Sequence, residues 1–256
     1  MRLILNEKAV LDRALDDGII EDKTTTTIRV LAKHYFSIGQ NKKQVVSSID
    51  NFMSNNYKGY IFTKWQEIIK KMVNSIYRNK NYDLLQINNI NVSKKEVDTI
   101  QSIRDLNLEK LAFVLLVYAK LFNKIYGKER DWIKTNIKDI LEDAAINANE
   151  VEGALMVKVL NDMGLVYPSK IVDSTDIKVL FTDSQGDVEI EVGDFENIVL
   201  YYLKYVGCNV GYCEVCGRLI ELTSNNKRYC KECWRERRSK YQKIWDKTRR
   251  TRRSDN

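Results

Sequence analysis

From Asn6 to about Tyr82 apolar residues recur at helical spacing, in segments that each end on glycine or asparagine: NEKAVLDRALDDG, TIRVLAKHYFSIG, NKKQVVSSIDNFMSNN and FTKWQEIIKKMVNSIYRN. The pattern predicts a compact helical module. Gly18 and Gly39 stand where a helix end needs left-handed backbone. Residues 84–92, LLQINNINV, read as a short extended link, and Ser93 with Glu96 has the spacing of a capping box that opens the next helix. That helix leads to an apolar one at 107–126.

Between 132 and 192 the period changes. WIKTNIKDILEDAAI and NEVEGALMVKVLNDMG predict two helices, the second capped by Asn149 and Glu152, and LVYPSKIV, DIKVLFTD and DVEIEVGD predict three short strands. Two helices followed by strand, turn and strand have the order of a winged helix. DFENIVLYYLKYVG, 194–207, predicts a last amphipathic helix with Asp194 as N-cap. The expected fold is mainly α, of the α+β kind. It divides into a helical subdomain at 1–92, a helical and winged-helix-like subdomain at 93–207, a four-cysteine ribbon at 208–236 and a basic helix at 237–256.

At 256 residues and 44% apolar composition the chain can bury one large core or two smaller ones. Its longest apolar stretch, LEKLAFVLLVYAKLF, is interrupted by Glu109, Lys110 and Lys120 and is shorter than the roughly 20 apolar residues a membrane span needs. The first residues have no secretory pattern, so the expected location is the cytoplasm. The net charge of +7 is unevenly placed: residues 227–256 hold thirteen Lys/Arg against four acids, a net +9, and the rest of the chain is −2. A near-neutral body with one cationic end has the layout of a polyanion-binding appendage, or of a solvated tail that serves only solubility.

The strongest chemical signal is Cys213, Cys216, Cys230 and Cys233, two C-x2-C pairs separated by thirteen residues. Each pair can offer two thiolates to one ion, and a hairpin between them brings the four together around a structural Zn2+. In a reducing compartment such clusters bind metal rather than form disulfides. Cys208 lies outside the pattern.

Behind the cysteines, helical phase puts Trp234, Arg238, Tyr241 and Trp245 on one side and Lys240, Lys243, Lys247 and Arg250 on the other. The aromatic side is assigned to docking on protein. Phosphate contacts are assigned to Arg235, Arg237, Lys240, Lys243, Lys247, Arg249, Arg250, Arg252 and Arg253.

The second winged-helix-like helix carries Glu150, Glu152 and Asp162 against Lys158, a poor balance for reading a DNA groove, so a structural or protein-contacting role is weighed equally. His34 is the only histidine and sits within a helical run. Asp187, Glu189 and Glu191 alternate with apolar residues as the wet face of a strand does. There is no P-loop, G-x-G-x-x-G or G-x-S-x-G, and no constellation points to an enzyme.

YCEVCGRLI followed by NKRYCKECWRERRSKYQ is similar to the zinc ribbons at the ends of bacteriophage and mobile-element proteins of low-GC Gram-positive hosts. Residues 27–81 resemble the helical domain that follows the catalytic domain in phage and plasmid primases, with no primase catalytic domain beside it. The two resemblances imply a phage or mobile-element factor in transcription regulation or replication. With the tail, they lead to the expectation of a non-enzymatic nucleic-acid-binding protein, on DNA in preference to RNA, with host or phage proteins as further partners of the helical body. The alternative is a protein-binding effector, such as an anti-defence inhibitor of a host nucleoprotein complex.

Overall fold

The computed structural model describes residues 5–127, 129–170, 176–224 and 226–254, with side chains in the last helix described to Gln242 and at Trp245. It divides into two units, 2–88 and 89–256.

The first unit holds four helices, α1 (Glu7–Asp17), α2 (Thr24–Ser37), α3 (Lys42–Asn56) and α4 (Phe62–Asn79). All the others pack on α2. Their apolar stripes meet in one core that includes Leu11, Ile28, Leu31, Ile49, Met53 and Val73. Gly18 ends α1 at φ 67, where the left-handed backbone favours glycine, and a Cβ there would displace the exposed Asn56 side chain, whose Oδ1 stands 2.2 Å away. Glu7 is buried but not isolated. It accepts hydrogen bonds from Lys33 Nζ (2.6 Å) and the Leu85 N–H (2.9 Å), with Arg29 at 3.4 Å, and so holds the returning segment against α1 and α2.

The second unit runs β1 (Ile90–Ser93), α5 (Lys94–Gln101), α6 (Leu106–Tyr126), β2 (Trp132–Ile133), α7 (Ile137–Asp143), α8 (Glu150–Asp162), β3 (Val166–Pro168), β4 (Ile177–Val179), β5 (Val188–Val192), α9 (Ile198–Tyr205), β6 (Val210–Tyr212), β7 (Leu219–Glu221) and α10 (Lys231–Ser254). The apolar helix α6 is its axis, in contact with α5, α7, α8 and α9 and with three strands. Twelve of its residues are buried. The capping box that opens α5 forms as the spacing predicts, with Ser93 and Glu96 bonding each other's backbone.

The strands correct the sequence reading in three places. First, the three-stranded antiparallel sheet has the order β2-β4-β3, with α7 and α8 between its first two strands in sequence, which is a winged-helix order. Its edge strand β2 comes from a segment that periodicity assigns to a helix. Ile133, Ile137 and Ile140 do keep helical spacing, but Asn136 interrupts the run by accepting from the Lys138 N–H (3.0 Å) and capping α7. Second, DVEIEV does not join that sheet: as β5 it pairs with β1, Ile90 opposite Val192 and Val92 opposite Ile190. Alternation identifies a half-buried strand but not its partner, and residues 84–92, read as a link, supply that partner in their last positions. Third, α9 begins at Asn197 rather than at Asp194, whose carboxylate instead shapes the preceding turn by accepting from the Glu196 N–H (2.9 Å) and Asn197 Nδ2 (3.0 Å).

The chain is mainly helical, with ten helices among the described residues. None of the helices among them is long and apolar enough to cross a membrane.

Candidate metal centre

The antiparallel hairpin β6–β7 buries Leu219 and Ile220 and packs on α9. Directly after β6 the chain makes a tight knuckle. The Cys213 N–H donates to the Arg218 carbonyl (2.8 Å), the Gly217 N–H donates to the Cys213 carbonyl (2.9 Å), and Gly217 takes φ 71, which glycine adopts without strain. The second C-x2-C pair follows the hairpin and runs into α10, so that Cys233 lies in the first turn of that helix.

All four sulfurs lie within 4.8 Å of one another, and Cys216 and Cys230 are 3.8 Å apart. A tetrahedral ion with bonds of about 2.3 Å requires sulfur separations of about 3.8 Å. No disulfide is present: all five cysteines are free. Backbone N–H groups already point at the sulfurs, from Cys230 to Cys213 (3.3 Å) and from Cys233 to Cys230 (3.4 Å). Burial works to raise the Cys213 thiol, but the N–H groups of Cys230, Cys216 and Val215 outweigh it and bring it down to about 6. The hydrogen bond that the Cys233 thiol donates to Cys230, together with partial burial, holds the Cys233 thiol up, and Cys216 is raised as well. The Cys213 thiolate is thus favoured by the fold before any ion arrives, and thiolates are the form in which cysteines bind metal. The four cysteines can hold one metal ion, as their spacing predicts, and Cys208 stays outside the cluster.

Arg218 ties the centre to its surroundings. Its guanidinium reaches Glu196 (2.9 Å), ahead of α9, and Glu232 (3.0 Å), in the first turn of α10.

Of the candidate phosphate ligands, Arg235 and Lys240 are exposed on α10, and Arg237 lies 4.9 Å over the Tyr229 ring and 5.7 Å from that of Tyr241. Helical backbone continues through Lys243, Lys247, Arg249, Arg250, Arg252 and Arg253, whose side chains lie outside the described residues. The aromatic side of α10, assigned by phase to docking, is not buried within this chain: Trp234 is 54% exposed, Tyr241 59% and Trp245 58%.

Elsewhere, His34 is half-buried beside Tyr35, and Glu189 and Glu191 lie exposed on β5, with Asp187 exposed just ahead of it. Helix α8 has a feature that attention to its acids overlooks. Gly153 turns inward, where a Cβ would meet Leu141 at 2.6 Å, so the outward side is fixed and carries Val151, Leu155, Val159 and Met163. Val151 is 71% exposed and Leu155 58%. The i, i+4 spacing of these four was the available signal.

No known family, curated protein or solved structure matches this chain.

Proposed function

We propose that the chain is a non-enzymatic nucleic-acid-binding protein in which four cysteines hold a structural Zn2+ and α10 contacts phosphates, DNA being preferred to RNA. The observation that carries this reading is the joint between the two features. Cys233 is at once a metal ligand and part of the first turn of α10, so the ion anchors a 24-residue helix that is about 36 Å long. Four thiolates close the coordination shell and leave no open position for water, which fits a structural ion, and the all-sulfur tetrahedral set fits zinc. The helix it anchors carries most of the basic excess of the C-terminal region, and neutralising phosphates is the chemistry such a surface performs best. The role that follows is an accessory factor in replication or transcription of a phage or mobile element. The test is binding of the zinc-loaded protein to duplex and single-stranded DNA and to RNA across a salt series. Binding that ignores salt, or no binding at low salt, overturns the reading.

A second reading is favoured by α8. In a winged helix that reads DNA this helix faces the groove, yet here it offers an apolar stripe among Glu150, Glu152 and Asp162, with Lys158 as the single base of the helix. Such a surface repels phosphate and suits an amphipathic protein segment whose apolar residues are flanked by Lys or Arg. On this reading the protein is an effector that binds a nucleoprotein complex. Recovery of a protein partner that Leu155→Glu abolishes, with no nucleic acid bound at moderate salt, would favour it.

A further inference from the structure

The first unit carries a second cationic stretch that the whole-chain charge conceals. Residues 23–80 hold eleven Lys/Arg against two acids, Asp50 and Glu67. Both acids are engaged within the unit, Asp50 by the Tyr60 hydroxyl and Glu67 by Lys70 at 3.5 Å. Arg29 and Lys33 pair with the buried Glu7, whereas Lys43, Lys58, Lys64, Lys71 and Arg78 are exposed. Lys64, Lys71 and Arg78 recur every seven residues and share one side of α4.

Helix α3 lies within this stretch of the chain. It follows α2 after a four-residue turn, in which Gly39 adopts φ 88 and its N–H donates to the Phe36 carbonyl (3.0 Å). Asn41 and Gln44 cap its start reciprocally. Val45, Ile49 and Met53 fix its buried side. At 100° per residue, Lys43, Ser47 and Asn51 then fall within an arc of about 80° on the opposite side, and all three are exposed. The side chains of Ser47 and Asn51 make no hydrogen bond to the described residues.

This composition is unusual for the wet side of a helix. Where packing does not choose the residue, Ala, Glu, Lys and Gln favour the helix, and serine and asparagine oppose it by competing for the backbone. Local rules are broken in this way at functional surfaces. The groups offered are those that read base edges in a major groove: an amide that can donate and accept together against adenine, a lysine for guanine and a hydroxyl for either. The groove of B-form DNA admits an α-helix, and the deep, narrow one of duplex RNA does not.

We infer that α2, its turn and α3 form a helix–turn–helix that lays α3 in the major groove of duplex DNA, with Lys43, Ser47 and Asn51 toward the bases and the exposed lysines of α4 toward phosphates. This goes beyond the proposed function, where α10 supplies affinity without sequence, and rests on it only for the class of polymer.

The test uses the full-length zinc-loaded chain to select from a random duplex DNA library. Two variants are compared with it, Ser47→Ala with Asn51→Ala, and Arg235→Gln with Arg237→Gln and Lys240→Gln. Alanine favours the helix, so the first variant should melt no lower than the parent. The parent should enrich a short motif. The α3 variant should keep its affinity for bulk duplex but lose preference for the motif by about ten- to a hundredfold. The α10 variant should weaken binding to all duplexes and keep the motif. Absence of any motif with the parent, an unchanged preference in the α3 variant, or equal binding to duplex RNA overturns the inference. If the α10 variant binds as the parent does while the α3 variant loses the motif, the role given to α10 falls and that of α3 stands.

Discussion

Three donors converge on the carboxylate of Glu96, which has no exposed surface: Lys120 Nζ (2.6 Å) and the N–H groups of Ser93 (2.7 Å) and Asp183 (2.6 Å). A fully paired buried charge contributes little net stability, but removal of one partner leaves the other stranded. Glu96→Ala should therefore cost about 3–5 kcal/mol in a denaturant titration, far more than an exposed acid would. Asp143 presents the opposite case. Burial raises its carboxyl above the ordinary value, against the hydrogen bond from the Tyr118 hydroxyl, which lowers it. An acid whose folded pKa is raised gives stability that is full below its unfolded pKa and is lost as pH rises through the folded one. Asp143→Asn keeps an acceptor for Tyr118 and removes the desolvated charge. It should flatten that loss above pH ~4 and leave the protein at least as stable at pH 7, as thermal melts across pH will report. The reciprocal caps at Ser93 and Asn149 were legible because their partners lie three residues away. The role of Glu96 beyond its cap was not, since Lys120 and Asp183 reach it only through tertiary packing.

Among the elements, the long helices announce themselves and the short strands do not. Helix α6 has 21 residues over which its apolar character accumulates, whereas β2 has two, too few for a period to register. The partner of β5 lies about a hundred residues upstream, and alternation along one strand contains nothing about it. The cysteine spacing was legible for the opposite reason: four ligands to one ion must come together, so the pattern itself names the contacts. Replacing Cys213 by serine should abolish stoichiometric metal in elemental analysis and unfold the hairpin, because a small site of this kind draws its folding free energy from the ion. For α10, four to six phosphate contacts would give a slope of log K against log salt of about −4 to −5 on duplex DNA. Leu155→Ser, on the outward side of α8, should change stability by no more than about 0.5 kcal/mol, which separates a role in partner binding from one in the core.

For the whole molecule, the charge sum misled by averaging: the acids of α1 and of the second unit offset the bases of 23–80, so only the C-terminal excess stood out. A count by element recovers both cationic stretches. The first unit has a core of its own, and a fragment of residues 2–88 should give a cooperative thermal melt in circular dichroism. Chelation of the metal should leave that transition in the full chain unchanged and remove helical signal contributed by α10.

The pairing of β1 with β5 also sets a timetable for biosynthesis. Residues 90–93 leave the ribosome about a hundred residues before 188–192, with the whole winged helix translated in between. At roughly 5–20 residues per second the nascent chain carries an unpaired, apolar strand for about 5–20 seconds. The first unit is complete before that interval opens, and α6 emerges early within it, offering β1 a surface to lean on until its partner arrives. Slowing translation between codons 94 and 187 would lengthen this window, and aggregation of the nascent chain should rise with it.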